Sequence, residues 1–211
     1  MNIFYVLLLG FAVSMDGFVA GVAYGLKKIR MPIGSLSIVG IVAAILTAIA
    51  MVCAYGLGKL IDTHLAIALG ASLLILLGLW SVFQQYLTKD VTSYEADGEV
   101  TARKLTFSLG RLVISIMAKP ETADVDKLGV ISSLEAVFLG LAVGLDAMVG
   151  TFAAALMGRL PLYTPLAIGI IHMVCIAAGC SSTNFVSDDL KKRVPYLPGT
   201  LLILLGIIRL G

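Results

Sequence analysis

Long runs of apolar residues constrain the fold of this chain more than any other feature of its sequence. Each run has the length of about 20 residues that an α-helix needs to cross the hydrocarbon core of a bilayer. Hydrophobic residues make up 59% of the 211 residues and charged residues only 13%, about half the charged fraction of a typical soluble domain. The sequence therefore predicts an all-α integral membrane protein.

Six segments are candidates for membrane-spanning helices, and the last of them is short. They cover roughly residues 3–25, 34–58, 65–87, 134–157, 162–183 and 196–210. The predicted organisation is a three-helix unit at 1–87, a polar connecting segment at 88–132 and a second three-helix unit at 133–211.

Basic residues predict the orientation of these helices, because cytoplasmic loops are enriched in Lys and Arg. With the N-terminus outside, only Lys59, Arg159 and Arg209 of the 15 basic residues lie outside the cytoplasm. The opposite orientation reverses this bias, so we predict that both termini lie outside. The net charge of +2 gives no indication of a nucleic acid partner; membrane lipid and small ions are the expected partners.

Two segments of the first unit recur in the second. The segment LGFAVSMD, which ends at Asp16, recurs as LGLAVGLD ending at Asp146, and the run LLILLG at 73–78 recurs at 201–206. The two offsets are nearly equal, which favours duplication over chance similarity. Because each unit has an odd number of spans, the second copy must be inverted. Inverted repeats are typical of secondary transporters, whose sites form near the bilayer midplane between the halves.

Asp16 and Asp146 lie near the centres of the first and fourth spans. A carboxylate at that depth costs about 2.5–3.5 kcal/mol on insertion scales, and such residues are usually functional. One interpretation is structural, with each carboxyl protonated or hydrogen-bonded to a neighbouring helix. The other is that the pair binds a divalent cation between the halves. Oxygen ligands favour Mg²⁺, Ca²⁺ or Mn²⁺ over softer metals.

Residues near the aspartates predict a site at which helices approach closely. Gly17, Gly21 and Gly144 belong to stripes of small residues spaced four apart, which allow close helix packing. His172, near the middle of the fifth span, is a candidate nitrogen ligand, although a histidine there can equally hydrogen-bond between packed helices. The predicted metal ligands are Asp16, Asp146 and His172.

The two aspartate segments resemble the paired motifs of the manganese efflux pump family MntP. The segments are AVSMDGF at 12–18 and LAVGLDAM at 141–148, and the likeness covers nearly the whole chain, most closely to a sporulation-related member. The resemblance implies a six-span carrier of the bacterial plasma membrane, rather than an enzyme, that exports Mn²⁺ or a similar ion. Asp16 and Asp146 take the places of the family's essential aspartates. The second span, however, lacks the acidic residue that manganese pumps carry there.

Residues 124–135 match several positions of the EF-hand calcium loop. The candidate Ca²⁺ ligands are Asp124, Asp126, Val130, Ser132 and Glu135, whereas Leu128 at the fifth position offers no side-chain oxygen. The alternative is that Ser132 and Glu135 form a capping box at the start of the fourth span. Upstream, residues 104–119 predict an amphipathic helix on the cytoplasmic membrane surface. We hypothesise that calcium binding at the loop regulates the fourth span.

Three functions are compatible with this pattern. The leading prediction is a secondary transporter that exports a divalent metal ion in exchange for protons, which neutralise the emptied carboxylates. The second is a non-transporting membrane scaffold or ion-sensing protein related to sporulation. The third, an intramembrane aspartyl hydrolase, is disfavoured because residues 143–146 do not match the GxGD motif of that class.

Overall fold

The computed structural model describes residues 3–88, 123–124, 128–182 and 197–210. Within these residues the chain forms helices, their connections and one isolated backbone bridge, with no strand. The helices are α1 (Ile3–Leu26), α2 (Ile33–Gly58), α3 (Thr63–Thr88), α4 (Ser133–Met157), α5 (Thr164–Ser182) and α6 (Leu197–Leu210). The predicted amphipathic helix at 104–119 lies outside the described residues.

Helices α1 to α5 are long and apolar enough to cross a membrane. Large apolar side chains such as Val52, Leu76 and Trp80 point outward, as expected of a surface solvated by lipid. The predicted multi-pass membrane protein is thus confirmed. Helix α6 has 14 residues and a length of about 21 Å at 1.5 Å per residue, which is shorter than the hydrocarbon core of about 30 Å. The sixth span therefore stays a prediction, as does the orientation of the termini.

The most extensive helix contacts join the first three helices to the last three. Helix α2 packs along α4, α1 along α5, and α3 along α6. Neighbouring helices of the same three-helix unit have at most marginal contact within the described residues. The two predicted units are therefore interdigitated rather than side by side.

Small residues set the distance between these helices. Gly10 of α1 packs against Ile168 and Ile171 of α5, and Gly140 of α4 packs against Val39 and Val42 of α2. A β-carbon at Gly21 would collide with the carbonyl oxygen of Ile176. The predicted stripes of small residues thus lie at helix–helix contacts, where they permit close backbone approach.

Two hydrophobic clusters occupy opposite ends of the bundle. The Leu9 cluster contains Leu9 and Val13 of α1, Met51 of α2, Ala147 and Ala154 of α4, and Ile168 of α5. The Tyr24 cluster contains Ala20 and Tyr24 of α1, Val39 of α2, Ala136 and Val143 of α4, and Ile176 of α5. Helices α1 and α4 therefore run antiparallel, because the start of α1 shares a cluster with the end of α4.

Both ends of the α2–α4 pair are tied by hydrogen bonds. At one end, the Arg30 N–H donates to the Gly129 carbonyl (2.8 Å), and the Ile131 N–H donates to the Arg30 carbonyl (3.0 Å). The Ser35 hydroxyl donates to the Ile131 carbonyl there (2.6 Å). At the other end, the Tyr55 hydroxyl donates to the Leu160 carbonyl (2.7 Å) and accepts from the Leu160 N–H (2.8 Å).

Candidate functional site

Polar side chains lie between the two hydrophobic clusters. On α1, Asp16 lies between Val13 of the Leu9 cluster and Ala20 of the Tyr24 cluster. On α4, Asp146 lies between Ala147 of the Leu9 cluster and Val143 of the Tyr24 cluster. The two aspartates therefore occupy the same level of the bundle.

Helices α2 and α5 contribute to the same level. His172 lies between Ile168 of the Leu9 cluster and Ile176 of the Tyr24 cluster, and Thr47 lies between the cluster residues of α2. Both His172 and Thr47 are fully buried. We call Asp16, Thr47, Asp146 and His172 the polar layer.

Asp16 and Asp146 lie at the same level on α1 and α4, two helices that contact each other. Asp16 retains 31% of its side-chain exposure, and one of its carboxylate oxygens accepts a hydrogen bond from the Gly17 N–H at 2.7 Å. Gly150 of α4 packs against Val13 of α1, which fixes the register of the crossing. The structure thus brings together the two aspartates that the repeat singled out.

His172 faces Asp16 across the α1–α5 contact. Its Nε2 lies 3.6 Å from Oδ1 of Asp16. Neither ring nitrogen has a hydrogen-bond partner among the described residues. Gly17 leaves room for the ring, because a β-carbon there would lie 3.3 Å from Cδ2 of His172.

Asp146 does not complete a three-ligand cluster with Asp16 and His172. In the described part of the chain, no three His, Cys, Asp or Glu side chains come close enough to hold one metal ion. The role of these three residues as metal ligands stays a prediction. An ion bound to Asp16 and His172 would need Asp146 to approach, or would draw its other ligands from hydroxyls, carbonyls or water.

Sequence reasoning missed two hydroxyl side chains near the aspartates. Ser14 is fully buried and its hydroxyl has no partner among the described residues. It lies on the α1 face between Gly10 and Gly17, both of which pack against α5. The Thr47 hydroxyl lies within 2.9 Å of the Ala43 carbonyl on its own helix. No signal in the sequence distinguishes them, because a hydroxyl in an apolar span can bond to a carbonyl of its own helix.

An apolar groove runs between α1 and α5 on the outer surface of the bundle. Its volume is about 570 Å³, and its lining includes Phe11, Met15 and Phe18 of α1 and Val174 and Cys175 of α5. Met15 and Cys175 place the groove next to the level of Asp16 and His172.

The capping-box alternative for residues 132–135 is confirmed. The Ser132 N–H donates to a Glu135 carboxylate oxygen at 2.8 Å, and the Glu135 N–H approaches the Ser132 hydroxyl at 3.4 Å. Upstream, Asp124 accepts a hydrogen bond from the Gly129 N–H at 3.1 Å, and Gly129 has the φ of 72° that favours glycine. Asp126 lies outside the described residues. The calcium site stays a prediction, with Glu135 engaged in the helix cap.

Comparisons with known proteins agree over the whole chain. The family model described as "Mntp: Putative manganese efflux pump" matches residues 1–82 and 89–210. The curated protein "Probable sporulation protein YtaF" of Bacillus subtilis (strain 168) is 31% identical over 211 residues, which is 100% of each chain. No solved structure matches.

Proposed function

Because the chain belongs to the MntP family of manganese efflux pumps, we propose that it exports a divalent metal ion, foremost Mn²⁺, through the polar layer. Asp16 and Asp146 bind the ion and His172 contributes a nitrogen ligand. The observation that carries this proposal is that Asp16 and Asp146, on helices far apart in sequence, lie at one level between two hydrophobic clusters. Two carboxylates at one level of contacting helices favour a cation between them.

The proposal includes an inverted repeat that relates α1–α3 to α4–α6. Its support is that equivalent residues make equivalent contacts. Gly10 of α1 packs against Ile168 and Ile171 of α5. Their counterparts, about 130 positions away in sequence, make the same contact, with Gly140 of α4 packed against Val39 and Val42 of α2. Gly40 and Gly169, equivalent under the same offset, pack against each other's carbonyl oxygens. Such reciprocal contacts are expected of residues on a two-fold axis.

Export is coupled to proton uptake in this proposal. When a divalent ion leaves, two carboxylates in a medium of low dielectric constant lose their compensating charge. Protonation restores neutrality without a second metal ion. The chain carries out this exchange in the bacterial plasma membrane, with both termini on the outer side.

Carboxylate replacement tests the proposal. In liposomes containing the purified full-length protein, Asp16→Asn and Asp146→Asn should each abolish Mn²⁺ flux, because one remaining carboxylate cannot balance a divalent charge. Asp62→Asn is the matched control, since Asp62 is exposed and lies immediately before α3. Flux at the wild-type rate in both membrane variants would overturn the proposal.

A second candidate function is a membrane scaffold or ion sensor. It is favoured by the absence of any charged residue from α2 and by the name of the relative from Bacillus subtilis. In this case Ca²⁺ bound at 124–135 would act on α4 after Glu135 had left its helix cap. This candidate predicts that Glu135→Gln alters ion response while the Asp16 and Asp146 variants do not.

A further inference from the structure

The two halves of the polar layer are chemically unequal. In the proposed repeat, Gly144 of α4 corresponds to Ser14 of α1, and Ala43 of α2 corresponds to His172 of α5. Gly144 packs against Ala43 and Leu46. Each half therefore carries one carboxylate and one hydroxyl, Asp16 and Ser14 in the α1–α5 half and Asp146 and Thr47 in the α4–α2 half. The main difference is the imidazole of His172, which has only the methyl group of Ala43 as its counterpart.

The geometry of the α1–α5 half suits a shared ion. Metal–ligand bonds of about 2.1 Å at angles of about 90–110° place two ligand atoms about 3.0–3.4 Å apart. The observed separation between Nε2 of His172 and Oδ1 of Asp16 is 3.6 Å, which is too long for a good hydrogen bond. A shift of a few tenths of an ångström would allow both atoms to coordinate one ion.

Burial adds a second, independent observation. His172 is 0% exposed and neither of its ring nitrogens has a hydrogen-bond partner among the described residues. Buried polar groups normally have partners, because desolvation without compensation is costly. A cation beside Nε2 would provide a partner for the ring and for Asp16.

We propose that the half-site of Asp16 and His172 selects the exported ion, favouring divalent transition metals that accept an imidazole nitrogen over Mg²⁺ and Ca²⁺. This inference rests on the proposed export function. The physical reason is that a nitrogen ligand stabilises Mn²⁺, Co²⁺ and Zn²⁺ increasingly, whereas Mg²⁺ and Ca²⁺ prefer oxygen. His172 is thus a specificity-determining residue, and Asp146 supplies charge rather than selectivity.

The test replaces the nitrogen ligand by an amide. Flux of Mg²⁺, Mn²⁺, Co²⁺ and Zn²⁺ is measured separately in liposomes containing the wild type or His172→Gln. Relative to the wild type, the flux of the variant should fall least for Mg²⁺, about tenfold for Mn²⁺, and more than that for Co²⁺ and Zn²⁺. His64→Gln, at the other and exposed histidine of the chain, is the matched control and should behave as wild type. An equal loss for all four metals would overturn the proposal.

A binding measurement separates this inference from the export function. Pulsed electron paramagnetic resonance of Mn²⁺ bound to the wild type should detect ¹⁴N coupling from a coordinated imidazole, and His172→Gln should lose it. Bound Mn²⁺ without nitrogen coupling in the wild type would overturn the inference and leave export standing. Absence of flux in the wild type, with nitrogen coupling present, would overturn export and with it the selection of an exported ion, and would leave His172 as a ligand of a bound ion.

Relocation of the imidazole distinguishes ligation from packing. In the variant Ala43→His/His172→Gln, the histidine lies at the equivalent position of the other half, beside Gly144. The nitrogen coupling should return, because the ring again lies beside a membrane carboxylate. A role of His172 in α1–α5 packing alone would not be restored from α2. A folded double variant without nitrogen coupling would contradict the equivalence of the two positions on which the inference depends.

Discussion

At the scale of single residues, His172 shows what burial adds to a sequence pattern. The sequence left two roles open for this histidine, a hydrogen bond between packed helices or a metal ligand. The structure shows no hydrogen-bond partner for either nitrogen in the described residues and a carboxylate oxygen at 3.6 Å. Packing alone therefore leaves the ring unsatisfied, which favours ligation.

The aspartates were predictable and the hydroxyls were not. Asp16 and Asp146 stand out because a charged residue in an apolar span is costly and because the repeat pairs them. Ser14 and Thr47 carry no such cost, since a hydroxyl can bond to a carbonyl of its own helix, as Thr47 does. Only burial at the level of the carboxylates identifies them.

The cap of α4 yields a prediction on stability. Ser132→Ala should lower the free energy of unfolding by about 1 kcal/mol, because the hydroxyl that accepts from the Glu135 N–H is lost. Ser133→Ala, one residue along and exposed, is the control and should have little effect. Unfolding in mixed micelles of detergent and denaturing surfactant measures the difference. Equal stabilities of the two variants would contradict the capping role.

At the scale of helices, apolar run length predicted the boundaries of the first five helices within a few residues. The 3–25 segment is observed as Ile3–Leu26 and the 134–157 segment as Ser133–Met157. The sequence could not predict which helices pack together. All of them are apolar around most of their circumference, so hydropathy does not distinguish one packing partner from another. The glycine stripes marked the contact faces, and the structure supplied the partners.

Close packing at Gly21 gives a prediction for α1 and α5. Gly21→Ala should destabilise the protein by about 1–3 kcal/mol, because the new methyl group would meet the backbone of Ile176, which cannot rotate away. Gly56→Ala is the matched control in α2, where nothing lies within 4 Å of the added carbon. That change should be neutral or stabilising by up to about 1 kcal/mol. Surfactant unfolding of both variants checks the sign of each effect.

At the scale of the whole molecule, we propose that the tied α2–α4 pair and the glycine-packed α1–α5 pair move as two bodies. Asp146 belongs to the first and Asp16 to the second. Hydrogen bonds fasten both ends of the first body. The two bodies contact each other where Gly40 of α2 packs against Gly169 of α5, and over a smaller contact where Val13 of α1 meets Gly150 of α4. On the proposed export function, relative movement of the bodies changes the separation of the two carboxylates.

Disulfides test this movement. A β-carbon at Gly150 would lie 3.7 Å from Cβ of Val13, close to the disulfide mean of about 3.8 Å. In a background without the three native cysteines, oxidised Val13→Cys/Gly150→Cys should stop Mn²⁺ flux, and a reductant should restore it. Arg30→Cys/Val130→Cys, across the backbone bridge inside the first body, is the control and should transport when oxidised. Normal flux with the first disulfide formed would contradict movement along this boundary.

Because the six helices are interdigitated, the helices that are consecutive in sequence are not the helices that pack together. On the proposed inverted repeat, three consecutive helices form one copy, yet each proposed moving body takes one helix from either copy. A three-helix fragment expressed alone would lack the neighbours that cover its glycine faces. We therefore expect such a fragment to be stable only when it pairs with a second, oppositely inserted copy.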